Sequence, residues 1–314
     1  MIGSVVSNIL LSGLPVICLA LGVWLMLRVL GEFDLSVDAL YTTGAAVSGM
    51  VVLGGGSPWL ALALAFVAGA VAAGLSMLMH VTLKVPLLLA TLIMLTGLYS
   101  INLHILGGST INLIGSATIF EPFGEGRTVK IVVLAVLVGA VALALYLFLN
   151  TRFGLGLRAG GVNARMSRSF GVNTRLTLLV GLILSEALAA VGGALQAQVQ
   201  GYADINMGVG SIIIGASAIL LGELFFRNGK VLAGIIGVVV GSLLYEAVLV
   251  FALRSGLPPQ DLKLVTAGIL VVAMLAQAAP ERVRQVGRRA QGLLGRAGGG
   301  TVLPADQREG TTHG

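Results

Sequence analysis

The chain has 314 residues, of which 57% are hydrophobic and only 10% are charged, and its mean hydropathy is +1.01. This composition leaves too little polar surface for a water-soluble protein of this length, so we expect an integral membrane protein. The net charge of +6 comes mostly from residues that border apolar runs, which favours orientation in a membrane over nucleic-acid binding.

The hydrophobic pattern predicts an all-α, polytopic membrane helix bundle with about nine spans, within a range of eight to ten. The predicted spans cover residues 5–27, 39–52, 59–79, 85–105, 131–149, 176–198, 207–226, 231–253 and 264–279. They form a transmembrane domain over residues 1–280, followed by a basic tail, residues 281–314, which we expect to be disordered or to lie on anionic lipid headgroups in the cytoplasm. Cys18 is the single cysteine, which excludes an internal disulfide and a cysteine-ligated metal site.

The basic loop at residues 150–175 sets the orientation, because it carries five arginines and no acidic residue. An arginine at the bilayer centre costs roughly 2.5–3.5 kcal/mol, so this loop is predicted to lie in the cytoplasm. Alternation of the spans from this loop leaves four of the nineteen basic residues outside, namely Arg127, Lys130, Arg254 and Lys263. The positive-inside rule therefore predicts an N-out and C-in orientation.

A short amphipathic helix is predicted inside this loop, at residues 163–171. Asn163 suits an N-cap, Gly171 suits a left-handed C-cap, and apolar residues recur every four positions beside arginines. We predict that this helix meets a soluble partner, the alternative being an ordinary loop whose arginines only orient the protein. The candidate contact residues are Arg158, Gly160, Asn163, Arg165, Met166, Arg168, Phe170 and Gly171.

Polar residues within apolar segments are the candidates for a solute pathway, because each is costly unless it meets water, solute or a partner group. The candidates are Asp34, Ser36, Asp38, Asn102, Glu186, Gln196, Gln200 and Asp204. Four of them, Asn102, Gln196, Gln200 and Asp204, are predicted to form a polar entrance at the outer end of the bundle. For Glu186 the alternative is a polar partner within the bundle. For Asp34, Ser36 and Asp38 the favoured alternative is that they cap the second helix.

An internal repeat is suggested by the segments DLSVDALYTTGAA from Asp34 and DINMGVGSIIIGASA from Asp204. Both place an acidic residue before a helix of small residues. In the predicted topology the two segments enter from opposite faces, as inverted repeats of transporters do, and the fifth span joins two halves. Chance similarity is the alternative.

No pattern of catalytic residues is present in the sequence. His80, His104 and His313 lie far apart, and the HExxH and GxSxG patterns are absent. Gly229 and Lys230 lack the remaining residues of a phosphate-binding GxxxxGK[ST] loop. We therefore predict no enzyme activity, no catalytic or metal site and no bound cofactor in this chain, so any ATP hydrolysis would require another chain.

Five motifs resemble those of a known family. They are FDLSVDALYTTGAAV, LLATLIMLTGLYSINLHILGG, FGLGLRAGGVNARMSRSFGVNT, GALQAQVQGYADINMGVGSIIIG and the pair Gly222 and Glu223. Between Leu14 and Ala279, in matching order, the chain resembles permease subunits of ABC-type importers. These belong to the superfamily of branched-chain amino acid and ribose permeases, and the resemblance is nearest to the tryptophan-type and uncharacterised members.

The resemblance implies a homodimeric permease in the bacterial inner membrane that passes a small solute, an amino acid or a similar nutrient. It also implies two ATPase subunits, which hold ATP and Mg on the cytoplasmic face, and an extracytoplasmic solute-binding protein. Glu186 departs from the family pattern, which has a neutral amide after Ser185. An ion-coupled secondary transporter or a channel remains an alternative, favoured by Glu186 and Glu246, and a structural scaffold is a third.

Overall fold

The structure, a computed structural model, describes residues 2–124, 126–226 and 229–277. The predicted tail at residues 281–314 and the end of the ninth predicted span lie outside the described residues. The chain divides into two compact units, the first of which ends at Ala273. Of the second unit the structure describes residues 274–277. All of the long elements in the described ranges are helices, which confirms the prediction of an all-α bundle.

The helices follow one another with short connections. They are α1 (Ile2–Trp24, continued by a π-helical segment Leu25–Leu30), α2 (Val37–Leu53), α3 (Pro58–Thr82), α4 (Leu87–Leu106), α5 (Arg127–Leu149), α6 (Arg152–Val162), α7 (Ala164–Ser169), α8 (Thr174–Gln200), α9 (Ser211–Phe225), α10 (Val231–Arg254) and α11 (Leu262–Gln277). Two short strands, β1 (Thr110–Asn112) and β2 (Tyr202–Asp204), pair in antiparallel fashion.

Nine apolar helices lie at the nine predicted segments. Six of them, α1, α3, α4, α5, α8 and α10, are long and apolar enough to cross a membrane, whereas α2, α9 and α11 are shorter. A helix of 15 residues such as α9 extends about 22 Å, less than the hydrocarbon core of about 30 Å. The chain is thus a multi-pass membrane protein, and nine complete spans stay a prediction.

The two long helices α1 and α8 form the centre of the bundle. Gly22 of α1 lies against Ser185 of α8, and Gly192 of α8 lies against Leu19 of α1, so the two helices run antiparallel. A Cβ atom at Gly22 would stand 2.5 Å from the Ser185 carbonyl oxygen. Glycine is therefore required for this approach of the two backbones.

The short helix α2 packs equally closely on α8. A Cβ atom at Gly44 would stand 1.8 Å from the Ala190 carbonyl oxygen, and one at Gly193 would stand 1.8 Å from the Tyr41 carbonyl oxygen. Gly44 and Gly193 therefore serve the packing of α2 on α8. Any side chain larger than the hydrogen atom of glycine would push α2 away from α8 at these positions.

The arrangement of the helices supports an inverted repeat. The succession α1, α2, α3 has its counterpart in α8, α9, α10, and in each half a long helix is followed by a linker, a short helix and another long helix. Contacts are exchanged between the halves, since α2 and α3 pack on α8 while α9 and α10 pack on α1. The antiparallel relation of α1 and α8 gives the two halves opposite directions.

The linkers of the two halves begin with the same local structure. Asp34 Oδ1 accepts a hydrogen bond from the backbone N–H of Ser36 at 2.7 Å, and Asp204 Oδ1 accepts one from Asn206 N–H at 2.8 Å. An aspartate that binds the N–H two residues later forms an Asx turn, which redirects the chain before a helix. The repeat is therefore favoured over chance similarity.

The two ends of the bundle carry different structures. The basic end comprises Lys84, α6, α7 and the first residues of α8, which surround one cavity. The loop end comprises β1 and β2, where Thr110 is paired with Asp204. In the predicted N-out and C-in orientation the basic end is cytoplasmic and the loop end is external.

This orientation can be tested with Ser109→Cys and Ser169→Cys, each in a Cys18→Ala background. Ser109 at the loop end and Ser169 at the end of α7 are both exposed, whereas Ser167 is only 4% exposed and would label poorly. We expect an impermeant thiol reagent to label position 109 in intact cells and position 169 only after permeabilisation. Labelling of both positions from outside would contradict the orientation.

Candidate functional site

The short basic helix α7 has the caps that the sequence predicts. Asn163 Oδ1 accepts a hydrogen bond from Met166 N–H at 3.0 Å. At the other end Gly171 has a φ of 81°, its N–H donates to the Arg168 carbonyl, and Val172 N–H donates to the Ser167 carbonyl. This pair of bonds is a Schellman motif, which ends the helix sharply. The segment is therefore a defined helix, six residues long.

Three large apolar side chains on and beside this helix are exposed: Val162 ends α6, Met166 lies on α7 and Phe170 is the C-cap of α7. We call these three residues the apolar stripe of α7. The exposed fractions are 89% for Val162, 58% for Met166 and 76% for Phe170, and Arg165 and Arg168 beside them are exposed as well. Large apolar side chains at a basic, water-facing end of the bundle are unfavourable unless another surface covers them. The geometry therefore fits docking of a soluble partner, with arginines placed for acidic groups.

Helix α6 holds α7 against the bundle. The Thr151 hydroxyl caps its first turn by accepting from Gly154 N–H at 3.1 Å. A Cβ atom at Gly161 would stand 2.0 Å from the Val29 carbonyl oxygen, so the end of α6 lies directly on the π-helical segment that continues α1. This backbone contact joins the segment that precedes α7 to the end of α1.

Two predicted contact residues lie apart from the exposed stripe. Arg158 is half-buried within α6, and its Nε atom is buried without a hydrogen-bond partner in the described ranges. Gly160 is half-buried beside Thr177 of α8. Both residues are less exposed than the apolar side chains beside α7, and their contact with a partner stays a prediction.

Asp38 joins the N-termini of the two short helices. Its carboxylate accepts hydrogen bonds from the backbone N–H groups of Gly210 and Ile212 and from the Ser211 hydroxyl, all at 2.9 Å. A carboxylate at the first turn of α9 satisfies its free N–H groups and complements the helix dipole. The ends of α2 and α9 therefore meet inside the bundle.

The prediction that Asp34, Ser36 and Asp38 cap α2 is wrong. Ser36 occupies the N-cap position of α2 but makes no side-chain capping bond. The Asp34 carboxylate binds the backbone N–H and the hydroxyl of Ser36, and Asp38 binds the N-terminus of α9. Asp38 lies on α2, in the first half of the chain, whereas its hydrogen-bond partners lie at the start of α9, in the second half.

We expect Asp38→Ala to destabilise the fold, because it leaves the buried donors at the start of α9 without an acceptor. The expected loss of folding free energy is about 1–3 kcal/mol. It is measured as a lower unfolding temperature of the purified protein. Asp38→Asn, which keeps one acceptor oxygen, should lose less, and Asp261→Ala serves as a control. Equal stability of Asp38→Ala and the control would show that the bond is dispensable.

A second carboxyl cluster lies deeper in the bundle, between Asp34 and Glu186. Both side chains are fully buried. Neither oxygen of Glu186 nor Oδ2 of Asp34 has a hydrogen-bond partner of good geometry within the described ranges. Buried polar atoms without partners are costly, which makes these two residues candidates for a functional role.

The predicted polar entrance is not gathered at one place. Asn102 is buried and donates to the Ala39 carbonyl oxygen at 3.0 Å, which fixes the start of α2. Gln196 is buried in α8, whereas Gln200 is exposed and Asp204 is half-buried at the loop end. Gln200 and Asp204 therefore lie at the external surface of the loop end, whereas a role of all four residues in solute entry stays a prediction.

Sequence reasoning missed Gln198 as a structural residue. Its Oε1 accepts from Ile119 N–H at 3.1 Å, and its amide donates to the Ser48 hydroxyl at 3.1 Å. Gln198 therefore ties the external loop to α2. Its place at the end of an apolar run gave no signal of this role, because both partners are distant in sequence.

A multi-pass helix bundle whose two halves run in opposite directions is an arrangement found in many solute transporters. Residues 5–275 match the family described as "Branched-chain amino acid transport system / permease component". The chain therefore belongs to this family, whose members are ABC transporter permease subunits without an ATPase site of their own.

Among similar proteins is the tyrosine transport system permease protein of Clostridioides difficile, 33% identical over 271 residues that cover 86% of this chain and 90% of the relative. The galactofuranose transporter permease protein YtfT of Escherichia coli is 26% identical, over 86% of this chain and 78% of its own length. A probable branched-chain amino acid transport permease protein, LivH of Methanocaldococcus jannaschii, is 30% identical over 58% and 61% of the two chains. No solved structure matches the chain significantly.

Proposed function

We propose that this chain forms the translocation pathway of an ATP-driven importer for a small solute, an amino acid or a similar nutrient. The observation that carries the proposal is the capped helix α7, whose apolar stripe is exposed among arginines at the basic end. An amino acid is favoured because the relative named for tyrosine transport covers most of both chains. The relative named for galactofuranose keeps a compact sugar as the second candidate.

The proposal includes partners on both sides of the membrane. ATPase subunits that hold ATP and Mg dock at the basic end, on the apolar stripe of α7. A solute-binding protein docks at the loop end, where Gln200 precedes β2 and Asp204 is its last residue. Two copies of the chain form the permease, which lies N-out and C-in in the plasma membrane with its basic residues near anionic lipid. Neither nucleic acid nor a cofactor bound to this chain is part of the proposal.

Uptake of labelled amino acids and sugars by cells tests the proposal. We expect uptake only when the permease, the ATPase and the binding protein are expressed together, and none with an ATPase variant that binds but does not hydrolyse ATP. The solute is identified by mass spectrometry of the ligand that co-purifies with the binding protein. Uptake by cells that express the permease alone would contradict the proposal.

The alternative of an ion-coupled carrier is favoured by the buried Asp34 and Glu186 carboxyl groups, because carriers use such groups to bind protons or sodium. Glu186→Gln separates the two functions. A glutamine keeps the shape of a protonated glutamate, so an ATP-driven importer should retain most of its uptake. A carrier would lose coupled uptake, because an amide neither releases a proton nor offers an anionic ligand.

A further inference from the structure

A cavity of about 460 Å³ lies at the basic end, between the end of α3, the π-helical segment, α6, α7 and the start of α8. Five ionisable side chains line it, namely Glu32, His80, Lys84, Arg168 and Arg175. The backbone of Gly160 and Gly161 and the hydroxyl-bearing Thr174 and Thr177 form other parts of its wall. The cavity therefore combines room for a small ligand with an excess of hydrogen-bond donors.

The charge of this cavity favours an anion. Lys84, Arg168 and Arg175 are exposed cations, and Glu32 is the single carboxylate in the lining. Burial raises the pKa of Glu32 above its ordinary value, and the nearby His80 lowers it by a smaller amount. Glu32 therefore takes up a proton at a higher pH than a fully exposed glutamate, which lessens its repulsion of an anion.

The imidazole ring of His80 is held in place by a hydrogen bond from one of its two nitrogens. Its Nδ1 lies 2.8 Å from the Val85 carbonyl oxygen, and because a carbonyl only accepts, Nδ1 carries the hydrogen. This bond also ties the end of α3 to the turn that contains Lys84.

Lys84 has an unusual backbone conformation. Its φ is 55°, and in the described part of the chain it is the one non-glycine residue with a positive φ. A lysine in this region is strained, whereas glycine would adopt the same conformation without strain. Strain of this kind persists where the side chain or the turn has a function. The lysine therefore points to a role for its ammonium group in the cavity.

We propose that this cavity binds a phosphate-bearing anion, held by Lys84, Arg168 and Arg175. Arginine and lysine are the side chains that proteins use most for phosphate, through charge-assisted hydrogen bonds. Two sources have this chemistry, the head group of an anionic phospholipid and a soluble phosphate. A lipid head group fits the level of the cavity, because it lies where α3 ends and α8 begins. The proposal is independent of the transported solute.

The test measures thermal unfolding of the purified full-length chain with two probes. Inorganic phosphate is compared with chloride at equal ionic strength, and nanodiscs of phosphatidylglycerol are compared with nanodiscs of phosphatidylcholine. The variants are Lys84→Gly and Arg175→Gln, with Arg254→Gln at the loop end as the matched control. A ligand that binds only the folded protein raises the unfolding temperature.

We expect at least one probe to raise the unfolding temperature of the wild type and of Arg254→Gln, with a larger shift at lower pH. Lys84→Gly should unfold at a higher temperature than the wild type without the probe, because its strain is relieved, yet show a smaller shift with it. A shift with phosphatidylglycerol alone assigns the lipid as the source, and a shift with inorganic phosphate assigns the soluble ion. No shift with either probe, or a full shift in both Lys84→Gly and Arg175→Gln, would overturn the proposal.

Discussion

Gly44→Ala is expected to destabilise the protein more than any other single change considered above. The added methyl group would stand 1.8 Å from the Ala190 carbonyl oxygen, which is far inside contact distance, so α2 must move away from α8. Overpacking of this kind costs about 1–3 kcal/mol, and more where the obstacle is backbone. Because α2 carries Asp38, its displacement should also break the contact with α9 and abolish transport.

A matched control is Gly97→Ala in α4, where an added methyl group would meet no atom within 4 Å. Alanine favours a helix over glycine by about 0.5–1 kcal/mol, so this variant should be as stable as the wild type or slightly more stable. Thermal unfolding in detergent and size-exclusion chromatography measure both variants. If Gly44→Ala and Gly97→Ala unfold at the same temperature, the close packing of α2 on α8 is not present in the protein.

Met166→Ala and Phe170→Ala are expected to weaken association with the ATPase subunits. Both side chains are exposed on α7, and removal of an apolar anchor from a protein interface costs on the order of 1–3 kcal/mol. This corresponds to a loss of affinity of roughly 5-fold to 150-fold. Co-purification of the ATPase and solute-stimulated ATP hydrolysis should both fall, while the permease inserts normally into the membrane.

Leu155→Ala is the control for these variants, because Leu155 is also an exposed apolar residue but lies on α6 outside the stripe. A basic loop that only orients the protein would tolerate all three substitutions, since none of them changes a charge. Wild-type co-purification and hydrolysis in both Met166→Ala and Phe170→Ala would therefore refute docking through α7.

The long helices and the caps of α7 could be predicted from the sequence because their signals are local. Apolar runs fix the positions of the helices, and the spacing of Asn163 and Gly171 fixes the ends of α7. Helix α6 was missed for a physical reason. Its sequence contains four glycines, which usually disfavour a helix, whereas here glycines such as Gly161 allow close backbone contact with Val29.

The interior of the bundle could not be predicted in the same way, because its contacts join distant parts of the chain. Asp38 binds backbone groups of Gly210 and Ile212, more than 170 positions away, and a local rule therefore assigned it to its own helix. Asn102 was predicted at an entrance from its place near a helix end, yet it bonds to Ala39 inside the bundle. The repeat had a sequence signal, an acidic residue before a helix of small residues at Asp34 and Asp204, and in the structure both aspartates form Asx turns.

The most direct measurement of the proposed function is solute accumulation in proteoliposomes that contain the purified permease and ATPase, with the binding protein outside and ATP enclosed. We predict accumulation that requires enclosed ATP and the binding protein, and that is unchanged when proton and sodium gradients are removed. Accumulation driven by either gradient without ATP would contradict the account and would establish an ion-coupled carrier instead.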